Sequence, residues 1–204
     1  MAGSSLLLAT SNPGKRIELL AFLPSGIEVL TLTDLNIELP PEDGESFSAI
    51  AMVKATVAAQ ASGLLAIADD SGLEVDALDG APGIRSARYA GETTDDGRNR
   101  AKLLSAMRDI PLGRRTARFR CAVAVAHPDG EVQCRDGVCE GTIGTEEIGS
   151  NGFGYDSIFV LPSGQTMAQL TLEEKNQISH RADAYRKIAP TLTTWIAQGH
   201  EARP

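Results

Sequence analysis

Leu6-Leu7-Leu8-Ala9 is an apolar run without alternation, and it stops abruptly at Thr10-Ser11-Asn12-Pro13-Gly14. Apolar residues then return at helical spacing through Ile17, Leu20 and Ala21. A strand that is apolar on both faces must be covered on both, and a helix entered straight from a Pro-Gly turn is the usual cover. The order of strand, small polar loop and helix confines the chain to the α/β class.

The rest of the chain continues the theme. Ile27 to Leu32 predicts a second strand, and Pro40-Pro41-Glu42-Asp43-Gly44 a loop. Phe47 to Ala61 carries Ile50, Val53, Val57, Ala58 and Ala61 at helical spacing, with Ser46 as N-cap and Gly63 as stop. Leu64 to Ala68 is strand-length and ends at a turn over Asp69-Asp70-Ser71-Gly72. Residues 79–97 are a surface loop, and Ala101 to Met107 belong to a helix. Thr116 to Ala126 alternates, placing Ala117, Phe119, Cys121, Val123 and Val125 on one face. His127-Pro128-Asp129-Gly130 turns it into a long hairpin that returns from Val132. A glycine-rich loop, Gly149 to Gly154, precedes a strand over Ser157 to Leu161. Thr171-Leu172-Glu173-Glu174 has the capping-box spacing, so a helix starts near Leu172. A last amphipathic helix runs from Ser179–His180 towards Trp195, kinked at Pro190. With no repeat and no linker, the 204 residues read as one α/β unit with two lobes around a cleft.

Composition excludes several classes. Nineteen Lys and Arg against 27 Asp and Glu give a net charge of -8, which disfavours a broad nucleic-acid-binding face. Cys121, Cys134 and Cys139 form no CxxC pair and no zinc spacing, which points to free thiols in a reducing compartment. No apolar run reaches membrane-spanning length, and the first residues lack a basic stretch, so the expectation is a cytoplasmic protein with neither membrane span nor signal peptide.

Five stretches could carry chemistry. Thr10, Ser11, Asn12, Pro13, Gly14 and Lys15 join a strand to a helix N-terminus, where backbone N–H groups favour an anion and Lys15 adds a charge. The stretch is not a P-loop, because Arg16 follows Lys15; the plain alternative is a capped strand–helix junction. Asp69-Asp70 at the carboxyl end of a strand could hold Mg²⁺ or be a polar turn, and alternation lets only one face a cleft. Glu42 and Lys54 taken singly are a solvated acid and a surface or snorkelling lysine. Gly152-Phe153-Gly154-Tyr155-Asp156 could lay the Phe153 ring on a planar base or be a hairpin with a core aromatic. Lys175 with Ser179-His180-Arg181 is a donor-rich cluster or a capped, charged helix start.

Taken in order, T-S-N-P-G-K, P-E-D-G-E-S-F, Lys54-Ala55, A-D-D-S-G-L, P-G-I-R-S-A-R-Y-A-G, G-F-G-Y-D and K-N-Q-I-S-H-R resemble the Ham1/inosine-triphosphatase family from Leu6 to Arg181. Two positions depart from its pattern: Ser157 stands where proline is usual, and Asp79 where glycine is. The resemblance implies an elongated mixed β-sheet with flanking helices, forming two lobes around a central substrate cleft in a single domain over residues 1–204. It implies a homodimer and no nucleic-acid polymer or membrane as partner. It implies a Mg²⁺-dependent hydrolase that converts ITP, dITP and XTP to the monophosphate and pyrophosphate, keeping them out of DNA and RNA. By the same resemblance Asp70 is the proton acceptor, and Glu42 with Asp70 holds the metal. Thr10 to Lys15 cradle the phosphates with Lys54 as a further local cation, and Ser71 contacts the substrate. Phe153 stacks on the purine, with Gly154 and Tyr155 beside it, while Asp156, Lys175, His180 and Arg181 read its edge. A Maf-like pyrophosphatase matches the blocks poorly. A silent nucleotide-binding module would have no need of Asp70 and Glu42, and a structural protein would not bring acids, lysines and base-reading blocks together.

Overall fold

The computed structural model describes residues 5–198. Its first strand, β1 (Ser5–Leu8), is buried on both faces, as its uninterrupted apolar run requires. It pairs in parallel with β2 (Glu28–Thr31) and with β3 (Leu65–Val75), Leu7 lying opposite both Leu30 and Ala66. The sheet is completed by β4 (Thr116–Ala126), β5 (Val132–Ile143) and β6 (Phe159–Val160), in the order β2-β1-β3-β4-β5-β6, with β6 antiparallel to β5. The helices are α1 (Pro13–Leu20), α2 (Phe47–Ser62), α3 (Asp96–Ala106), α4 (Leu172–Ile178) and α5 (His180–Gln198). This is the mixed α/β architecture that the sequence implies.

The chain divides into two compact units. Unit 1 comprises Met1–Asp70, Cys121–Gly137 and Arg181–Pro204; unit 2 comprises Ser71–Arg120 and Val138–His180. Unit 1 has a core on each face of its strands. On one, alanines of α2 (Ala51, Ala55, Ala58, Ala59) meet alanines of the sheet (Ala66, Ala68, Ala122, Ala124, Ala126). On the other, Leu6, Leu8, Ile67, Val123 and Val125 are covered by Leu19 of α1 and by Tyr185, Ile188 and Leu192 of α5. Unit 2 has a single core built on Leu73, Phe119, Tyr155, Ile158 and Phe159, closed by Leu103 and Met107 of α3 and its C-cap.

Four expectations are corrected. The turn at Asp69 to Gly72 is the middle of β3, and Leu73 and Val75 beyond it are fully buried. Turn-forming residues persist in a strand here because cations compensate the two carboxylates and Ser86 Oγ accepts the Leu73 N–H (2.8 Å). The buried stripe of α2 is rotated from the expected one: Val53 is exposed, while Lys54 is buried with Ile50, Ala51, Ala55 and Ala58. The expected helix around Ala101 is α3, which starts at Asp96 because Asp95 caps it by accepting the Arg98 N–H (2.9 Å). The loop of residues 79–97 contains a 3-10 turn over Gly83–Arg88, and the last strand shrinks to Phe159–Val160.

Candidate active site

In unit 1, the end of β1 and the start of α1 build a junction held by its own side chains. Thr10 Oγ1 accepts the Asn12 N–H (3.3 Å), and Asn12 Oδ1 accepts the Lys15 N–H (3.0 Å), so Asn12 caps α1. This fixes the root of Lys15, whose Nζ lies 3.4 Å from Asp69 Oδ2 and 3.8 Å from Asp70 Oδ1. A second ammonium comes from α2. Lys54 Nζ donates to Glu42 Oε1 (2.6 Å) and to the Asp69 carbonyl (2.9 Å). Beneath them, Arg181 at the start of α5 is fully buried; its Nε donates to Asp69 Oδ2 (3.0 Å) and its Nη1 to Glu18 Oε2. The half-buried Lys15, the buried Lys54 and Arg181, and the carboxylates of Glu18 and Glu42 thus gather around Asp69 and Asp70, two consecutive residues of one strand.

The neighbours push these two acids apart. Burial would raise the Asp69 carboxyl, but Lys15 and Arg181 overrule it and hold it well below the usual carboxylate range. Asp70 is raised to about 6, first by burial and then by the negative charges of Glu42 and Asp69, against the pull of Lys15 and Lys54. Burial favours a neutral Lys15, yet Asp69 and Asp70 outweigh it, so its pKa is raised and the ammonium stays charged. Asp70 is therefore a carboxylate poised near neutrality beside fixed cations, the condition for a general base. The donor set also suits a hard cation: Glu42 and Asp70 offer oxygen ligands, and Asp69 Oδ1 is buried without a hydrogen-bond partner. No group of three ligating side chains surrounds one point among the described residues. A bound cation would complete its shell with water or phosphate oxygens, which fits Mg²⁺.

In unit 2 the glycine-rich loop presents Phe153. Asp156 Oδ2 accepts the Phe153 N–H (2.9 Å) and the Lys175 ammonium (2.5 Å), and that ammonium lies 4.9 Å over the Phe153 ring. Gly152 has φ of 76°, and a Cβ there would lie 2.0 Å from Asp156 Oδ2, so the turn requires glycine. Lys175 sits in α4, set by a capping box in which Thr171 and Glu174 exchange hydrogen bonds as the spacing implies. His180 is buried and stacks on Phe119, with ring centroids 4.7 Å apart.

The expected residues thus form two groups. Unit 1 brings together Thr10 to Lys15, Glu42, Lys54 and Asp70; unit 2 brings together Phe153, Asp156 and Lys175, and also carries Ser71 and His180. Three of the expected residues also have partners inside the protein. Arg181 falls in unit 1, where its guanidinium pairs with Asp69 and Glu18. Tyr155 is a core residue whose hydroxyl donates to the Ser86 carbonyl (2.8 Å). Both backbone polar groups of Gly154 are engaged by α3, its N–H by Asp96 and its C=O by Arg100. Glu18, Asp96 and Arg100 are not singled out by the sequence, and Asp69, expected only beside Asp70, proves to be the residue that Lys15 and Arg181 both reach. A carboxylate next to the apolar positions of α1 is the signal that would have marked Glu18.

The Ham1 family profile matches residues 6–191. A protein of Haemophilus influenzae named dITP/XTP pyrophosphatase is 51% identical over 191 residues, covering 92% of this chain and 98% of its own. One of the same name from Desulforamulus reducens is 50% identical over 190 residues, 92% of this chain and 94% of its own. Among solved structures, a HAM1 protein from Coxiella burnetii superposes with a TM-score of 0.84 at 38% identity, covering 94% of this chain and 99% of that one. The Staphylococcus aureus Ham1 protein gives 0.82 at 39%, with the same coverage.

Proposed function

The chain belongs to the Ham1 family, and on that premise we propose that it hydrolyses ITP, dITP and XTP to the monophosphate and pyrophosphate, with Mg²⁺. The observation that carries the reading is the Asp70 carboxyl, raised to about 6 while two lysine ammoniums are fixed around it. Nucleotide binding alone calls for the lysines but not for a carboxyl tuned towards neutrality.

Lys15 and Lys54 neutralise phosphate oxygens, and the exposed Ser11 and the N–H groups entering α1 add hydrogen bonds. Asp70 accepts a proton from water on a carboxylate oxygen as the water oxygen bonds to the α-phosphorus. The bond from that phosphorus to the bridging oxygen breaks in line, and pyrophosphate leaves with the electron pair. Asp69, kept ionised by Lys15 and Arg181, holds Lys15 in place. Glu42 and Asp70 would hold Mg²⁺, which would supply charge neutralisation for the triphosphate. In unit 2, Phe153 stacks on the purine, and Lys175 and His180 offer donors to its edge. A 6-oxo group satisfies such donors; a 6-amino group leaves them unpaired, at about 1–3 kcal/mol each. ITP, dITP and XTP are therefore turned over roughly 10- to 10⁴-fold better than ATP.

Purified protein incubated with Mg²⁺ and a panel of nucleoside triphosphates, with products separated by chromatography, tests this reading. Equal amounts of monophosphate and pyrophosphate from ITP support it. Diphosphate with orthophosphate, or ATP preferred over ITP, overturns it.

A further inference from the structure

The loop that carries Phe153 is held from a second side by α3. Asp96 Oδ2 accepts the Gly154 N–H at 2.7 Å, and Arg100 Nη1 donates to the Gly154 carbonyl at 2.8 Å. One face of a single helix, one turn apart, thus grips both polar groups of the residue that follows Phe153. Arg100 is itself fixed: its Nε donates to Glu147 Oε2 (2.8 Å), which also accepts the Ser157 hydroxyl (3.1 Å). Asp96, Arg100, Glu147, Phe153, Asp156 and Ser157 line one hollow of about 270 Å³. Gly154 has φ of 60° and nothing within 4 Å of where a Cβ would stand, so side-chain packing does not fix the loop at this point. Charge-assisted hydrogen bonds to its backbone do so instead.

We propose that Asp96 and Arg100 are positioning residues for purine recognition, holding the Phe153 ring at the angle at which it stacks on the base, with Glu147 and Ser157 bracing Arg100. The inference rests on the assignment of Phe153 to the purine made above. Asp156 orders the loop at the Phe153 N–H and the α3 pair orders it at Gly154, so the ring is carried between two fixed points. A rigid aromatic platform loses less freedom when a base settles on it. None of the four clamp side chains is needed for the attack on phosphorus, so their effect falls on substrate binding.

The test is steady-state kinetics with ITP on the wild type, Asp96→Asn, Phe153→Ala and the double variant, with thermal melting of each. The expected result is a rise in KM of about ten-fold or more for Phe153→Ala, and a comparable rise for Asp96→Asn with kcat changed far less. In the double variant, Asp96→Asn should add less than about two-fold to the effect of Phe153→Ala, because its action passes through that ring. An unchanged KM in Asp96→Asn overturns the clamp while leaving the stacking assignment intact. Full additivity in the double variant also overturns it, as does a loss confined to kcat and melting temperature. An unchanged KM in Phe153→Ala removes the stacking assignment and the clamp together. If Asp96→Asn does not fold, Arg100→Gln replaces it in the same cycle.

Discussion

Asp69 and Asp70 are neighbours in one strand with opposite fates: burial and acidic neighbours raise one, while a guanidinium and an ammonium depress the other. The folded Asp70 carboxyl titrates near pH 6 and the unfolded one near 4, so the folded chain holds that proton more tightly. Its contribution is therefore favourable below about pH 4 and lost as pH rises to about 6. In metal-free buffer, the stability of the wild type relative to Asp70→Asn should fall by on the order of 2 kcal/mol across that window. Urea melts of both proteins at a series of pH values check this, and a constant difference would contradict it. Asp69 behaves in the reverse sense, stabilising above its unfolded pKa and losing that contribution only in stronger acid. Arg181→Met removes the guanidinium that the buried carboxylates of Asp69 and Glu18 share, and should cost about 3–5 kcal/mol. Thermal melting reads that loss, and ITP and ATP turnover should fall by similar factors, since the guanidinium braces Asp69 next to Asp70.

At the scale of elements, Gly141 of β5 is a close-approach glycine. A Cβ there would stand 2.6 Å from the Phe159 ring and 2.6 Å from the Val160 carbonyl of β6, neither of which can move aside cheaply. Gly141→Ala should destabilise by about 1–3 kcal/mol, seen as a lower urea midpoint with an unchanged slope. Elements whose signal is local were legible in the sequence. Alternation marked β4 to the residue, Ser46 and Gly63 bound α2 as cap and stop, and Thr171 with Glu174 started α4. Asp79 was legible as a departure, and its φ of 52° explains why glycine suits that position. Elements whose cause lies far along the chain were not legible. β3 runs through two aspartates because Lys15 and Arg181 lie beside them, and Lys54 turns inward because Glu42 and a strand carbonyl receive it. The site was legible as a set of residues, since their types and order carry it. That Arg181 serves the acids, and that α3 grips Gly154, depends on pairings across 112 and 58 positions that no local pattern encodes.

For the molecule as a whole, a net charge of -8 repels a polyphosphate, so attraction has to be local. Lys15, Lys54 and Arg181 supply three positive charges against Glu18, Glu42, Asp69 and Asp70, which leaves the cluster short of cation. Chelation of divalent metal should therefore abolish ITP hydrolysis while the far-ultraviolet circular dichroism stays unchanged, and adding Mg²⁺ should restore turnover. Activity that persists in EDTA would contradict this. The chain passes from one unit to the other at Asp70–Ser71, Arg120–Cys121, Gly137–Val138 and His180–Arg181, and every passage falls inside a regular element: β3, β4, β5 and α5. Genes are cut and rejoined most harmlessly where a protein has loops, and here no loop marks a border. Neither half corresponds to a contiguous stretch of coding sequence, so neither can be borrowed, lost or exchanged without the other. A lineage that alters either unit has to do so by point substitution within one undivided reading frame.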